Sequence, residues 1–80
     1  MSDIEKRVKT VIARNRRKEV EEIGSDMSFN DLGVDSLSFV EVMMELDKEL
    51  GVDIPDEEAQ KMSNVRHLID YIRANKKAGS

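Results

Sequence analysis

Cysteine and tryptophan are both absent from this 80-residue chain, and proline occurs once, at Pro55. Without cysteine the chain can build no disulfide framework, no thiolate nucleophile and no thiolate-ligated metal centre of its own. Aromatic residues are nearly missing as well: Phe29, Phe39 and Tyr71 are all there are, so any core must be aliphatic. The one histidine, His67, stands beside Arg66 in the last helical segment, far along the chain from Ser36, and reads as a solvated helix residue and not as a general base. It has no cluster of ligand residues and no spaced calcium-loop pattern around it, so neither a catalytic triad nor a metal site has its parts. The expectation is a protein that is not an enzyme. No apolar run approaches the length of a membrane span, and MSDIEKRVKTVIARNRRKEV lacks the apolar centre of a secretory signal. A cytoplasmic monomer with no membrane insertion is therefore expected.

What is abundant is charge, at 38% of residues, and it is unevenly placed. Residues 1–18 hold seven bases and two acids, whereas residues 19–60 hold fourteen acids and one base, Lys48. Residues 61–80 return to five bases and one acid. An acidic middle between basic ends favours a basic protein partner and argues against nucleic acid or an anionic membrane. Eighty residues leave room for one hydrophobic core, so residues 1–80 read as a single domain.

Hydrophobic periodicity divides the chain into helices. Ser2 and Glu5 have capping-box spacing, and Ile4, Val8, Val11 and Ile12 follow at helical intervals. That helix begins near Asp3 and ends between Arg14 and Lys18, with no glycine or proline to stop it. A long connection, about 19 to 35, contains the turn formers Gly24, Ser25, Asn30 and Gly33, and Val20, Ile23, Phe29 and Leu32 can pin it. A second helix from Ser36 to Leu50 is stopped by Gly51. Pro55 opens a short acidic turn at Asp56 to Ala59, and Ser63 is placed to cap a last helix over about 64–73. Residues 74–80 read as a flexible tail. The architecture expected is all-α, a small four-helix bundle of three main helices and one short one, with a long first loop.

The second helix has two apolar stripes where a surface helix needs one. Phe39, Val42, Met43, Leu46 and Leu50 form a core stripe, while Leu37, Val40 and Met44 lie on another side among Glu41, Glu45 and Lys48. The second stripe is either buried beneath the long loop or an exposed docking patch rimmed by carboxylates. Its position directly after Ser36 favours docking. Ser36 itself, following the good N-cap Asp35, has the simple reading of a small polar residue at the first helical position. It also has a second one. A carrier that receives a phosphorylated group needs only an accessible hydroxyl, and a helix N-terminus tolerates a phosphodiester well.

Asp-Leu-Gly-Val-Asp-Ser-Leu at 31–37 resembles the DLGxDSL signature of acyl carrier proteins. Downstream, Val40-Glu41, Met44-Glu45-Leu46 and the run from Leu50 through Ile54-Pro55-Asp56-Glu57-Glu58-Ala59 are similar in order. So is the Leu68-Ile69-Asp70-Tyr71-Ile72 ending, and the likeness covers about residues 2–73. The resemblance implies that Ser36 bears a 4′-phosphopantetheine arm, taken from coenzyme A by a phosphopantetheinyl transferase, with Asp35 positioning the serine. It implies that acyl groups ride on the arm as thioesters. Leu37, Val40 and Met44 would meet fatty-acid or polyketide synthesis enzymes, with Glu41 and Glu45 facing their basic docking patches. Phe39, Val42, Met43, Leu46 and Ile54 would line the core that shelters an acyl chain, together with Ala59, Met62, Leu68 and Ile69.

The likeness fails at Arg16-Arg17-Lys18, where the family has a Leu-Gly-Val-like stretch. Those bases suit the dipole at a helix C-terminus, or they serve a particular partner, or they clasp Glu21, Glu22 or other acids internally. No aromatics accompany them, which argues against nucleic acid. The loop before Phe29 is also a residue short of the pattern. Two rivals remain: an aminoacyl carrier of peptidyl or D-alanyl kind, and an unmodified acidic adaptor whose serine is only a cap.

Overall fold

The computed structural model describes residues 3–75. The capping box at Ser2 and the tail segment 76–80 lie outside the described residues. Four helices form the bundle: α1 Asp3–Arg16, α2 Ser36–Leu50, α3 Asp56–Gln60 and α4 Val65–Asn75. A single 3-10 turn, Val20–Glu22, breaks the α1–α2 loop. Among the described residues the one β feature is an isolated antiparallel bridge between Ser28 and Asn64. Ala74 and Asn75, placed in the tail by the sequence pattern, are the last residues of α4.

α1 packs against both α2 and α4. Its Val8, Val11, Ile12 and Ala13 are buried, as are Val42, Leu46 and Leu50 of α2 and Val65, Leu68, Ile69 and Ile72 of α4. The loop closes over this core with Ile23, Phe29 and Leu32, and Phe29 meets Phe39 edge to face at 5.1 Å between ring centroids. Backbone bonds tie the same loop to the start of α4. The Val65 and Arg66 amides donate to the Met27 and Ser25 carbonyls, at 3.1 and 2.8 Å. These are among the amides that a helix start leaves without an intrahelical partner. The His67 amide donates to Asn64 Oδ1 at 2.8 Å, so Asn64 is the side-chain cap of α4 and not Ser63. Ser63 instead gives its carbonyl to the Phe29 amide at 3.2 Å.

The end of α1 is a Schellman motif without its glycine. The Lys18 amide donates to the Ala13 carbonyl at 2.8 Å and the Arg17 amide to the Arg14 carbonyl at 3.4 Å. Arg17, between them, takes φ 58°, the left-handed region that favours glycine. The missing stop signal is thus a strained arginine. Arg17→Gly is expected to raise stability by about 0.5–1 kcal/mol, since relief of the Cβ clash outweighs the added freedom of the unfolded chain. An increase in the urea midpoint at unchanged slope would show it; a decrease would mean that the side chain holds something the backbone strain does not outweigh.

Candidate functional site

Ser36 begins α2 because Asp35 caps it. The Asp35 backbone is extended, and its carboxylate accepts the Ser38 amide at 2.8 Å. The far end of the helix closes on Gly51 at φ 67°, whose amide donates to the Asp47 carbonyl. Ser36 is exposed in the first turn. There the amides have no helical carbonyl to reach and the dipole presents its positive end.

Beside Ser36 lies a cavity of about 640 Å³ between α2, α3 and the signature loop, within the size range of small-molecule sites. Phe39, Met43, Ile54, Ala59 and Met62 line it. Val42, Leu46, Leu68 and Ile69 do not: they are packed away in the bundle centre. Periodicity puts Val42 and Leu46 on the core face of α2 but does not say at what depth. Phe29 and Val34 of the loop, together with Val40 and Met44, complete the apolar wall. Asp35, Asp47, Asp53 and Asp56 also border the cavity, and all four are exposed. The last three were not among the sequence candidates: Asp47 lies near the end of one helix and Asp53 and Asp56 flank Pro55, and nothing in that spacing brings them together.

Leu37, Val40 and Met44 are 69%, 53% and 59% exposed, so the second stripe of α2 is not covered by the loop. Its acidic flank is partly engaged within the molecule. Arg14 Nη1 pairs with Glu49 at 2.9 Å and with Glu45 at 3.5 Å, and Asn15 Nδ2 donates to Glu41 Oε1 at 3.1 Å. Arg14 and Asn15 thus clasp the end of α1 onto α2, whereas Arg17 and Lys18 of the basic cluster are exposed. Arg16 takes part differently: its Nη1 donates to Ser38 Oγ at 2.9 Å.

The Ser38 amide and hydroxyl hold the Asp35 carboxyl below the usual carboxylate range, with a smaller contribution from Arg16. Glu5 is lowered too, by bonds from Lys9 and Ser25. In both cases the unfolded chain binds a proton more readily than the folded one. Their contribution to stability is complete above the ordinary carboxylate range, about pH 4, and is lost as pH falls through the lower folded values. Urea midpoints should fall with acid through that window, and Asp35→Asn, which keeps a capping side chain but no titration, should flatten the decline. An equally steep decline in that variant would place the acid sensitivity elsewhere.

The site suits a phosphodiester-linked group: an exposed serine hydroxyl, the amide end of a 15-residue helix, and an apolar cavity within reach. No helix among the described residues is long and apolar enough to cross a membrane. The family described as "Phosphopantetheine attachment site" matches residues 6–72. The chain is 52% identical over 77 residues to an acyl carrier protein of Rickettsia bellii strain OSU 85-389, covering 95% of each chain. It is 53% identical over 77 residues to the acyl carrier protein of Rickettsia bellii strain RML369-C, covering 95% of this chain and 90% of that one.

Proposed function

The chain belongs to the acyl carrier protein family, and on that premise we propose that its 4′-phosphopantetheine is attached at Ser36, with Asp35 positioning the serine. That prosthetic group, when bound, supplies the thiol that a cysteine-free chain lacks, so that acyl groups are held as thioesters. The observation that carries the assignment is the exposure of Ser36 at the capped start of α2, on the lip of an apolar cavity. Ser36 offers the oxygen for the phosphodiester, and the first-turn amides and dipole favour the negative charge next to it. Phe39, Met43, Ile54, Ala59 and Met62 line the cavity and would keep water from an apolar chain lodged there.

Partner enzymes would be met by Leu37, Val40 and Met44, with Glu41 and Glu45 and the aspartates of the cavity rim steering basic patches towards them. Charge steering speeds encounter, while a small apolar contact keeps affinity low enough for release. The partners on this reading are a phosphopantetheinyl transferase and enzymes of fatty-acid or related lipid or polyketide synthesis, and catalysis is theirs. The carrier would work in the cytoplasm, beside the coenzyme A that donates the arm.

Incubation with coenzyme A, magnesium and a transferase should add one phosphopantetheine mass, and tandem mass spectrometry should locate it on Ser36. No addition with several transferases, or addition at another residue, would overturn the assignment. Loading by acyl-activating but not aminoacyl-activating enzymes should follow, and the reverse would make the cargo an amino acid.

A further inference from the structure

Ser38 is a buried polar side chain, 8% exposed, and a hydroxyl taken from water needs partners. It has them on both sides. Arg16 Nη1 donates to Ser38 Oγ at 2.9 Å, leaving the Ser38 proton free to turn to the Asp35 carboxylate. The Ser38 amide donates to the same carboxylate at 2.8 Å. The guanidinium is wedged beneath the signature loop: a Cβ built on Gly33 would stand 3.6 Å from Arg16 Nη2, and Arg16 Nε is enclosed with no partner among the described residues. A hydrogen bond from a half-buried guanidinium is less screened by water than one at the open surface. Arg16 stands 22 residues from Ser38 in the chain.

We infer that Arg16 is a positioning residue for attachment at Ser36: through Ser38 it fixes the carboxylate of Asp35 in one orientation beside the serine. The inference rests on the assignment of Ser36 as the attachment site. Arg16→Met would keep the apolar stem of the side chain while removing the donor, and Ser38→Ala removes the acceptor. Asp35 then keeps at most the amide bond, and its carboxylate can rotate. A loosened group beside a reacting atom slows the step it serves without changing how the partner docks.

The test is steady-state kinetics of phosphopantetheine transfer on the full chain, with circular dichroism and carboxyl NMR of Asp35 run alongside. Arg16→Met is expected to reach full modification at Ser36 with kcat lowered about tenfold and KM within about twofold of the original. Ser38→Ala should match it, the double variant should lose no more than either single one, and Arg16→Lys should recover part of the rate. The Asp35 carboxyl should titrate at higher pH in Arg16→Met. An unchanged kcat in a folded Arg16→Met, or losses that add in the double variant, would overturn the role of Arg16 while leaving Ser36 modified. Original protein that takes no arm at all would overturn the attachment assignment itself, and with it any role in transfer. If Arg16→Met unfolds, Arg16→Lys against Ser38→Ala carries the comparison, and equal rates to the original in both would overturn the inference.

Discussion

Ser36→Ala is expected to take up no phosphopantetheine under conditions that convert the original protein completely, and to remain as helical as before. The loss is total because a covalent bond has lost its oxygen, and no neighbouring group can replace it. Ser38 carries the nearest serine hydroxyl along α2, but it is buried and committed to Arg16 and Asp35. Stability should barely move. Ser36 is exposed, alanine is the best helix former, and the cap is supplied by Asp35, which the substitution leaves in place. Intact mass spectrometry and far-ultraviolet circular dichroism read the two halves of this expectation separately. Residual modification would mean that the arm is attached elsewhere. Loss of helix together with modification would mean that Ser36 is chiefly part of the fold.

Much of this site is legible without coordinates because its determinants are local. Asp35 and Gly51 set both ends of α2, and each acts through bonds to residues three or four positions away. Residues whose role depends on a distant partner are not legible in this way. Arg16 and Ser38 are 22 positions apart, Arg14 and Glu49 are 35 apart, and nothing in their spacing announces the contact. The end of α1 was hidden for a different reason, since Arg17 takes a backbone conformation for which glycine is the usual signal. Ser63 and Asn64 are both competent caps one position apart, and the choice between them was made by the loop, which draws the Ser63 carbonyl to Phe29. Periodicity assigned the faces of α2 correctly, with Val42 and Leu46 inward and Leu37, Val40 and Met44 outward. It could not separate side chains that line the cavity, such as Phe39 and Met43, from those enclosed deeper, because depth depends on where α3 and the loop come to rest.

Leu46→Ala and Met44→Glu should fail in opposite ways although the two residues are separated by one position. At 100° per residue their side chains leave α2 about 200° apart, so one faces the bundle and the other faces water. Leu46 is 0% exposed, at the centre of an aliphatic core with few aromatics to spare. Its truncation removes about 2–5 kcal/mol, of a total that for a chain this short is about 4–12 kcal/mol. The expected result is a sharply lowered melting temperature, with modification at Ser36 retained only to the extent that folded protein remains. Met44, 59% exposed, has no such packing to lose, and a glutamate there should change stability by no more than about 0.5 kcal/mol. What it should change is docking. A carboxylate at the Met44 end of the Leu37–Val40–Met44 stripe must be desolvated against the apolar part of a partner, and transfer and loading should slow by about tenfold or more. Rates compared at a temperature where both variants are folded keep the two effects apart. If Met44→Glu melts as early as Leu46→Ala while its folded fraction reacts at full speed, the exposed stripe supports the fold and partners bind somewhere else. If it melts normally and reacts slowly, one helix carries the core on one side and recognition on the other, with the attachment serine in its first turn.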